Sequence, residues 1–215
     1  LYSKLSDFVD DILAKSSLEP YDPGAEQAGE RALRTALINL LAASGHDEAG
    51  ERLLGLYNAA TNMTEKLAAL RGLAGLEGAA RETALADFER TWKSNPLVMD
   101  KWFGVQAGTG DAATVSKLAA HPDFDMGNPN RVRSVAAAFA MQNLSGFHAP
   151  DGSGYEVIEG IILKADKVNP ALGARLLTAF EQWRILEPKA KAEAEACLRR
   201  LQAADLSKNS ADIVS

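Results

Sequence analysis

One cysteine in 215 residues, Cys197, leaves no intramolecular disulfide to form, and a reducing compartment, the cytoplasm, is the simpler home. No apolar run approaches the roughly 18 residues that span a bilayer, and the N-terminus lacks a basic stretch followed by an apolar signal core. Twenty-three Lys and Arg against 29 Asp and Glu give a net charge of -6 and a pI near 5.2. With no long basic cluster to offset that balance, the chain repels a phosphate backbone, which excludes nucleic acid as a partner. Three histidines, His46, His121 and His148, are the whole supply of imidazole, and no two are four residues apart. A helical zinc site is therefore not encoded.

What the chain has is apolar residues at helical spacing. Leu33, Leu37, Leu40 and Leu41 form one such set; Met63, Leu67, Leu70 and Ala74 another; Leu85, Phe88 and Trp92 a third. The pattern continues through Val98, Trp102 and Val105, through Val132, Val135 and Phe139, through Ile158, Ile161 and Ile162, and through Leu172, Leu176, Phe180 and Trp183. No period-2 strand interrupts it. Asn95-Pro96, Asn128-Pro129 and Asn169-Pro170 each set a capping side chain before a proline suited to the first helical position. Asn62 with Glu65 reads as a capping box, and Glu187-Pro188 as the start of the last long helix. Ser17 to Gly24 reads as a loop, and Ser207 to Ser215 as a polar tail or a shortened final helix. The expectation is an all-α fold, one domain over residues 1–215, with ten to twelve short antiparallel helices in an irregular armadillo/HEAT-like stack.

Candidate chemistry is sparse. His46 reads as a helix end and His121, before Pro122, as a turn residue. His148, Asp151 and Ser153 are the residue types of nucleophilic catalysis, but six residues of loop crowd them too closely for a triad. A turn with Asp151, Gly152 and Gly154 leading into a helix accounts for them better, the glycines giving backbone freedom. The run Gly108 to Ala113 fits a loose dinucleotide fingerprint without its preceding strand; a helix end at Gly108 and a cap at Thr109 or Asp111 is the plainer reading. Cys197 reads as a small apolar residue beside Leu198 and Leu201. Of Arg131 and Arg133, at least one projects away from the stripe of Val132, Val135 and Phe139. Arg175 lies on the flank of Leu172 and Leu176, and a guanidinium can grip a peptide carboxylate through two parallel hydrogen bonds.

The segments NMTEKLAAL from Asn62, NPLVMDKWF from Asn95, NPNRVRS from Asn128 and FHAPDGSGY from Phe147, in this order, resemble the C-terminal helical domain of the bacterial aminopeptidase N family. RALRTALINLLA from Arg31 and NPALGARLL from Asn169 are similar more weakly. The resemblance implies a non-catalytic domain of a zinc aminopeptidase of alanyl-preferring type, covering the active site and surrounding the channel by which peptides reach it. It implies no cofactor in this chain and zinc in the complete enzyme, because the His-Glu-x-x-His motif of the catalytic domain is absent here. It also implies catalytic and β domains of the same polypeptide as partners, and peptides as substrates. Residue by residue, Arg133 and Arg175 match channel-facing arginines, and Ala171 stands where the family often has a glutamine near the bound peptide. A first residue of Leu1 and not Met fits a piece of a longer chain. The alternative is a stand-alone helical scaffold that binds a peptide or partner protein; an independent hydrolase using His148 is a third possibility.

Overall fold

A computed structural model describes residues 7–9, 11–13 and 21–214. These residues are helices and connecting turns, with no strand among them. Residues 17–20 of the expected first loop lie outside the described residues; Tyr21 to Gly24 is irregular, as expected. The chain divides into two compact units, Leu1–Asn95 and Pro96–Ser215.

The first unit contains α1 (Ala25–Ala43), α2 (Ala49–Ala59), α3 (Met63–Ala74) and α4 (Ala79–Trp92). Helix α3 lies at its centre, against α1, α2 and α4. Gly72 makes this possible, since a Cβ there would meet the Ala42 methyl at 3.1 Å and both Leu53 methyls at 3.3 Å. Leu37, Ile38, Leu53, Leu70 and Phe88 are buried between the helices; each such side chain contributes about 1.5–3 kcal/mol of transfer free energy. Asn62 caps α3 by accepting from the Glu65 N–H at 3.1 Å. The Glu65 carboxylate returns to the Asn62 side-chain amide at 2.9 Å and also holds Arg34 of α1. Tyr57 donates to Asp87 at 2.9 Å, joining α2 to α4. The leucines of α1 do not form one stripe: Leu37 and Leu41 are buried, whereas Leu33 and Leu40 are 49% and 44% exposed.

The second unit contains α5 (Pro96–Ala107), α6 (Ala112–Ala119), α7 (Pro129–Gln142), the short α8 (Leu144–Phe147), α9 (Ser153–Val168), α10 (Pro170–Leu177), α11 (Pro188–Ala203) and α12 (Lys208–Val214). Two 3-10 turns, Thr178–Phe180 and Trp183–Ile185, separate α10 from α11. The apolar series from Leu172 to Trp183 thus belongs to three elements and not to one helix. Asn128, Asn169 and Glu187 cap α7, α10 and α11, each directly before the proline that opens the helix. Pro96 likewise opens α5. Asp111, and not Thr109, caps α6, accepting from the Thr114 N–H at 2.8 Å.

Close backbone approaches set the packing of α9. Gly152 has φ 78°, the left-handed value that favours glycine. Gly154 serves a different purpose from the one expected: it is helical, and a Cβ there would fall on the carbonyl oxygens of Gly146 and Phe147. Its role is space and not backbone freedom. At the other end of α9, Gly173 of α10 would place a Cβ 2.7 Å from the Asp166 backbone and side chain. Asp166 is 3% exposed and accepts from the Ser207 N–H and hydroxyl at 2.6 Å each and from the Ser210 hydroxyl at 2.5 Å. These bonds fasten α12, so the C-terminal stretch is a docked helix and not a tail. Burial pushes the Asp166 carboxyl up, but the serine hydrogen bonds outweigh it and hold the group below its ordinary value.

Two tests follow from these contacts. Gly154→Ala is expected to lower stability by about 2 kcal/mol or more, while Gly160→Ala, where a Cβ meets nothing, raises it by up to about 1 kcal/mol; thermal unfolding of both variants measures the contrast. Asp166→Asn is expected to cost about 1–3 kcal/mol at pH 7. Because the folded carboxyl titrates below the unfolded one, its contribution is complete above about pH 4 and is lost as the pH falls through the lowered folded value. Denaturant unfolding at pH 7, 5 and 3 should show the gap between the two proteins closing only in the acidic range.

Candidate functional site

Helix α7 begins with two arginines that face opposite ways. At 100° per residue Arg131 falls with Val135 and Ala138 on the inner arc, and Arg133 at the edge of the outer one. Arg131 is 4% exposed. Its Nε donates to Asp100 of α5 at 2.5 Å, its Nη1 to the Asp123 carbonyl and its Nη2 to the Pro96 carbonyl at 3.3 Å. The guanidinium also lies 4.4 Å from the Phe103 ring centroid. Arg133 is exposed and donates to the neutral Asn130 amide oxygen at 2.5 Å.

Helix α10 buries Leu172, Gly173, Leu176 and Leu177 on one side. Ala171 and Arg175, four residues apart, share the opposite, exposed face. The Arg175 guanidinium has no hydrogen-bond or ion-pair partner among the described residues; only its carbonyl is used, by the Thr178 hydroxyl at 2.8 Å. The structure therefore joins two of the three expected channel residues on one helix face and leaves Arg133 on another helix. Arg34, Arg81, Arg90, Arg131, Arg199 and Arg200 each hold a carboxylate. Arg133 and Arg175, like the exposed Arg71 and Arg184, hold none among the described residues, so they remain able to bind an anionic or carbonyl group from outside.

The imidazoles are used locally. His46 Nδ1 accepts from the Glu48 N–H at 3.3 Å and His121 Nδ1 from the Asp123 N–H at 3.1 Å. His148 Nδ1 lies 2.7 Å from the Tyr155 hydroxyl, while Asp151 Oδ1 accepts from the Ser153 N–H and hydroxyl. The three residues of the crowded loop thus do not converge on one serine. Burial depresses the His148 pKa. Tyr155 is pushed up to about 12 by burial and by the neighbouring Cys197, Glu187 and Glu193. A hollow of about 410 Å3 opens beside this pair, walled by Met141, Leu144, Phe147, Phe180 and Trp183. Its parts come from five separate segments, and no local sequence signal marked it. Cys197 is fully buried, its thiol pushed up to about 12 by burial first and then by Glu159, which leaves it inert at neutral pH.

Residues 1–215 match the family described as "Domain of unknown function (DUF3458_C) ARM repeats", and the chain belongs to that family. It is 39% identical over 199 residues to aminopeptidase N of Caulobacter vibrioides, which covers 91% of this chain and 23% of that one. Aminopeptidase N of Haemophilus influenzae is 34% identical over 188 residues, covering 86% and 21%. Aminopeptidase N of Escherichia coli is 33% identical over 206 residues, covering 94% and 24%. In each the match is to the C-terminal part, so the chain spans about a quarter of the length of these relatives. Among solved structures, Legionella pneumophila aminopeptidase A, in complex with aspartic acid, superposes with a TM-score of 0.86 at 27% identity, covering 100% of this chain and 26% of that one.

The two arginines of α7 give a direct contrast. Arg131→Ala strands Asp100 and is expected to destabilise by about 3 kcal/mol or more. Arg133→Ala is expected to stay within about 0.5 kcal/mol of the parent in the same denaturant titration.

Proposed function

We propose that this ARM-repeat chain is the non-catalytic C-terminal domain of a zinc-dependent aminopeptidase that removes N-terminal residues from peptides. In this reading the domain covers the active site, and the outer faces of α7 and α10 form part of the wall of the substrate channel. The observation that carries it is the pair of exposed guanidiniums without a carboxylate, Arg133 and Arg175, at positions that the aminopeptidase N resemblance assigns to the channel. The match to the C-terminal part of three aminopeptidase N chains supports it.

Arg175 holds the carboxylate or distal carbonyl of a peptide, and Arg133 adds a second cationic contact. Ala171, one turn before Arg175, presents a methyl group where a glutamine would reach the peptide, which widens the channel and removes one polar contact. Zinc, when bound in the catalytic domain, supplies water activation. The His-Glu-x-x-His pair that would hold it does not occur in this sequence. The chain alone is accordingly inactive, and its partners are the catalytic and β domains of the same polypeptide. A single buried thiol suits the cytoplasm. Among the described residues no helix is long and apolar enough to cross a membrane.

In a complete enzyme carrying this sequence, Arg175→Ala is expected to raise KM for tri- and tetrapeptides by about tenfold, the equivalent of one lost charge-assisted hydrogen bond. KM for an amino-acid anilide, which has no distal carboxylate, should change little. Equal changes for the two substrates would remove the proposed role.

A further inference from the structure

The segment FHAPDGSGY has no part in the proposed channel wall, yet it builds one side of the hollow of about 410 Å3 in the second unit. Phe147, Tyr155 and Phe180 form the buried end of that hollow. Their ring centroids lie 5.0 Å apart for Phe147 and Tyr155, 5.4 Å for Phe147 and Phe180, and 5.8 Å for Tyr155 and Phe180. Three rings packed on one another in this way hold their places without a ligand. The rim is apolar too, with Met141, Leu144 and Ile185 at 47%, 62% and 79% exposed. Large apolar side chains gathered round an aromatic hollow of this size are the pattern of a small-molecule site and not of scattered surface residues.

One polar group is set into the wall. Burial depresses the His148 pKa, so the ring is neutral at pH 7, and burial likewise keeps the proton on Tyr155. The Tyr155 hydroxyl has His148 Nδ1, 2.7 Å away, as its one acceptor among the described residues, so the hydroxyl donates there. A neutral imidazole that accepts at Nδ1 carries its proton on Nε2. The half-buried ring lines the hollow, and its Nε2–H has no partner among the described residues.

The surrounding charge selects among ligands. Among the described residues no lysine or arginine lines the hollow, whereas Glu181 does, and Glu187 and Glu193 are near enough to act on Tyr155 through their charge. An anion is repelled. A cation meets an N–H donor at His148, and the Trp183 ring already holds Arg184 at 4.7 Å and Lys191 at 5.9 Å. We propose that this hollow binds a small neutral molecule with an aromatic or branched apolar group and one carbonyl oxygen, the apolar group resting on the three rings and the carbonyl accepting from His148 Nε2.

Three probes with one phenyl group separate the charge states: N-acetyl-L-phenylalaninamide is neutral, N-acetyl-L-phenylalanine is an anion, and 2-phenylethylamine is a cation without a carbonyl. In an NMR titration of this chain at pH 7 the neutral probe is expected to bind with a Kd of roughly 1 mM or tighter and to shift the His148 ring and Trp183 indole signals. The other two are expected to bind at least about fivefold more weakly. The imidazole nitrogen shifts of the unliganded chain should show the proton on Nε2. His148→Phe keeps a ring against Phe147, 4.8 Å away, and is expected to weaken the neutral probe about fivefold, the equivalent of one hydrogen bond. Leu144→Glu, at an exposed rim position whose change leaves the core intact, should weaken it as well. Equal affinity for the three probes, no saturable binding, unchanged affinity in both variants, or a proton on Nδ1 would each overturn the proposal. So would a dimer of this chain that Leu144→Glu dissolves, since a second copy would then fill the hollow.

Discussion

A guanidinium with almost no access to water organises the part of the second unit that carries Arg133. Arg131 bonds a carboxylate, two carbonyls and an aromatic face, drawn from α5 and the turn before α7. A buried ion pair contributes little beyond what hydrophobic residues of equal volume would, but losing one partner leaves a charge stranded in the interior. That asymmetry fixes the rotation of α7 about its axis. Once Arg131 is turned inward, Arg133, two residues later, must lie toward solvent. The Asn128 cap and Pro129 hold the same first turn from the other side.

Helix α10 is fixed by shape in place of charge. Gly173 meets Asp166 so closely that no other residue fits, and Asp166 in turn holds α12 through Ser207 and Ser210. With Leu172, Leu176 and Leu177 turned inward, Ala171 and Arg175 have only the outer face left. Two cations thus reach solvent on rigid helices, one through a buried ionic network and the other through a glycine contact.

The helices were legible because spacing and caps agreed: Asn128, Asn169 and Glu187 all do what their places before proline suggest. The phase of α7 also showed that one of its two arginines must leave the core. Burial was less legible. Leu33 and Leu40 have the same spacing as Leu37 and Leu41, and periodicity cannot tell a buried face from an exposed one. Long-range pairings left no local mark either. Asp166 with Ser207 and Arg131 with Asp100 depend on which helices meet, and Gly154 reads as a turn glycine until Gly146 and Phe147 are seen above it. Arg133 and Arg175 stand out from the other exposed arginines by family likeness alone, since a guanidinium without a carboxylate has no sequence signature.

Family membership, the match to the C-terminal part of aminopeptidase N chains and two exposed guanidiniums that hold no carboxylate support the proposed role of this chain as the wall of a channel whose chemistry takes place elsewhere. The most direct test is a structure of a complete enzyme carrying this sequence, bound to a peptide that it cannot cleave. The account predicts the Arg175 guanidinium within roughly 3 Å of a peptide oxygen, with Arg133 facing the same cavity. Finding both arginines on the outer surface, remote from the peptide, would contradict it.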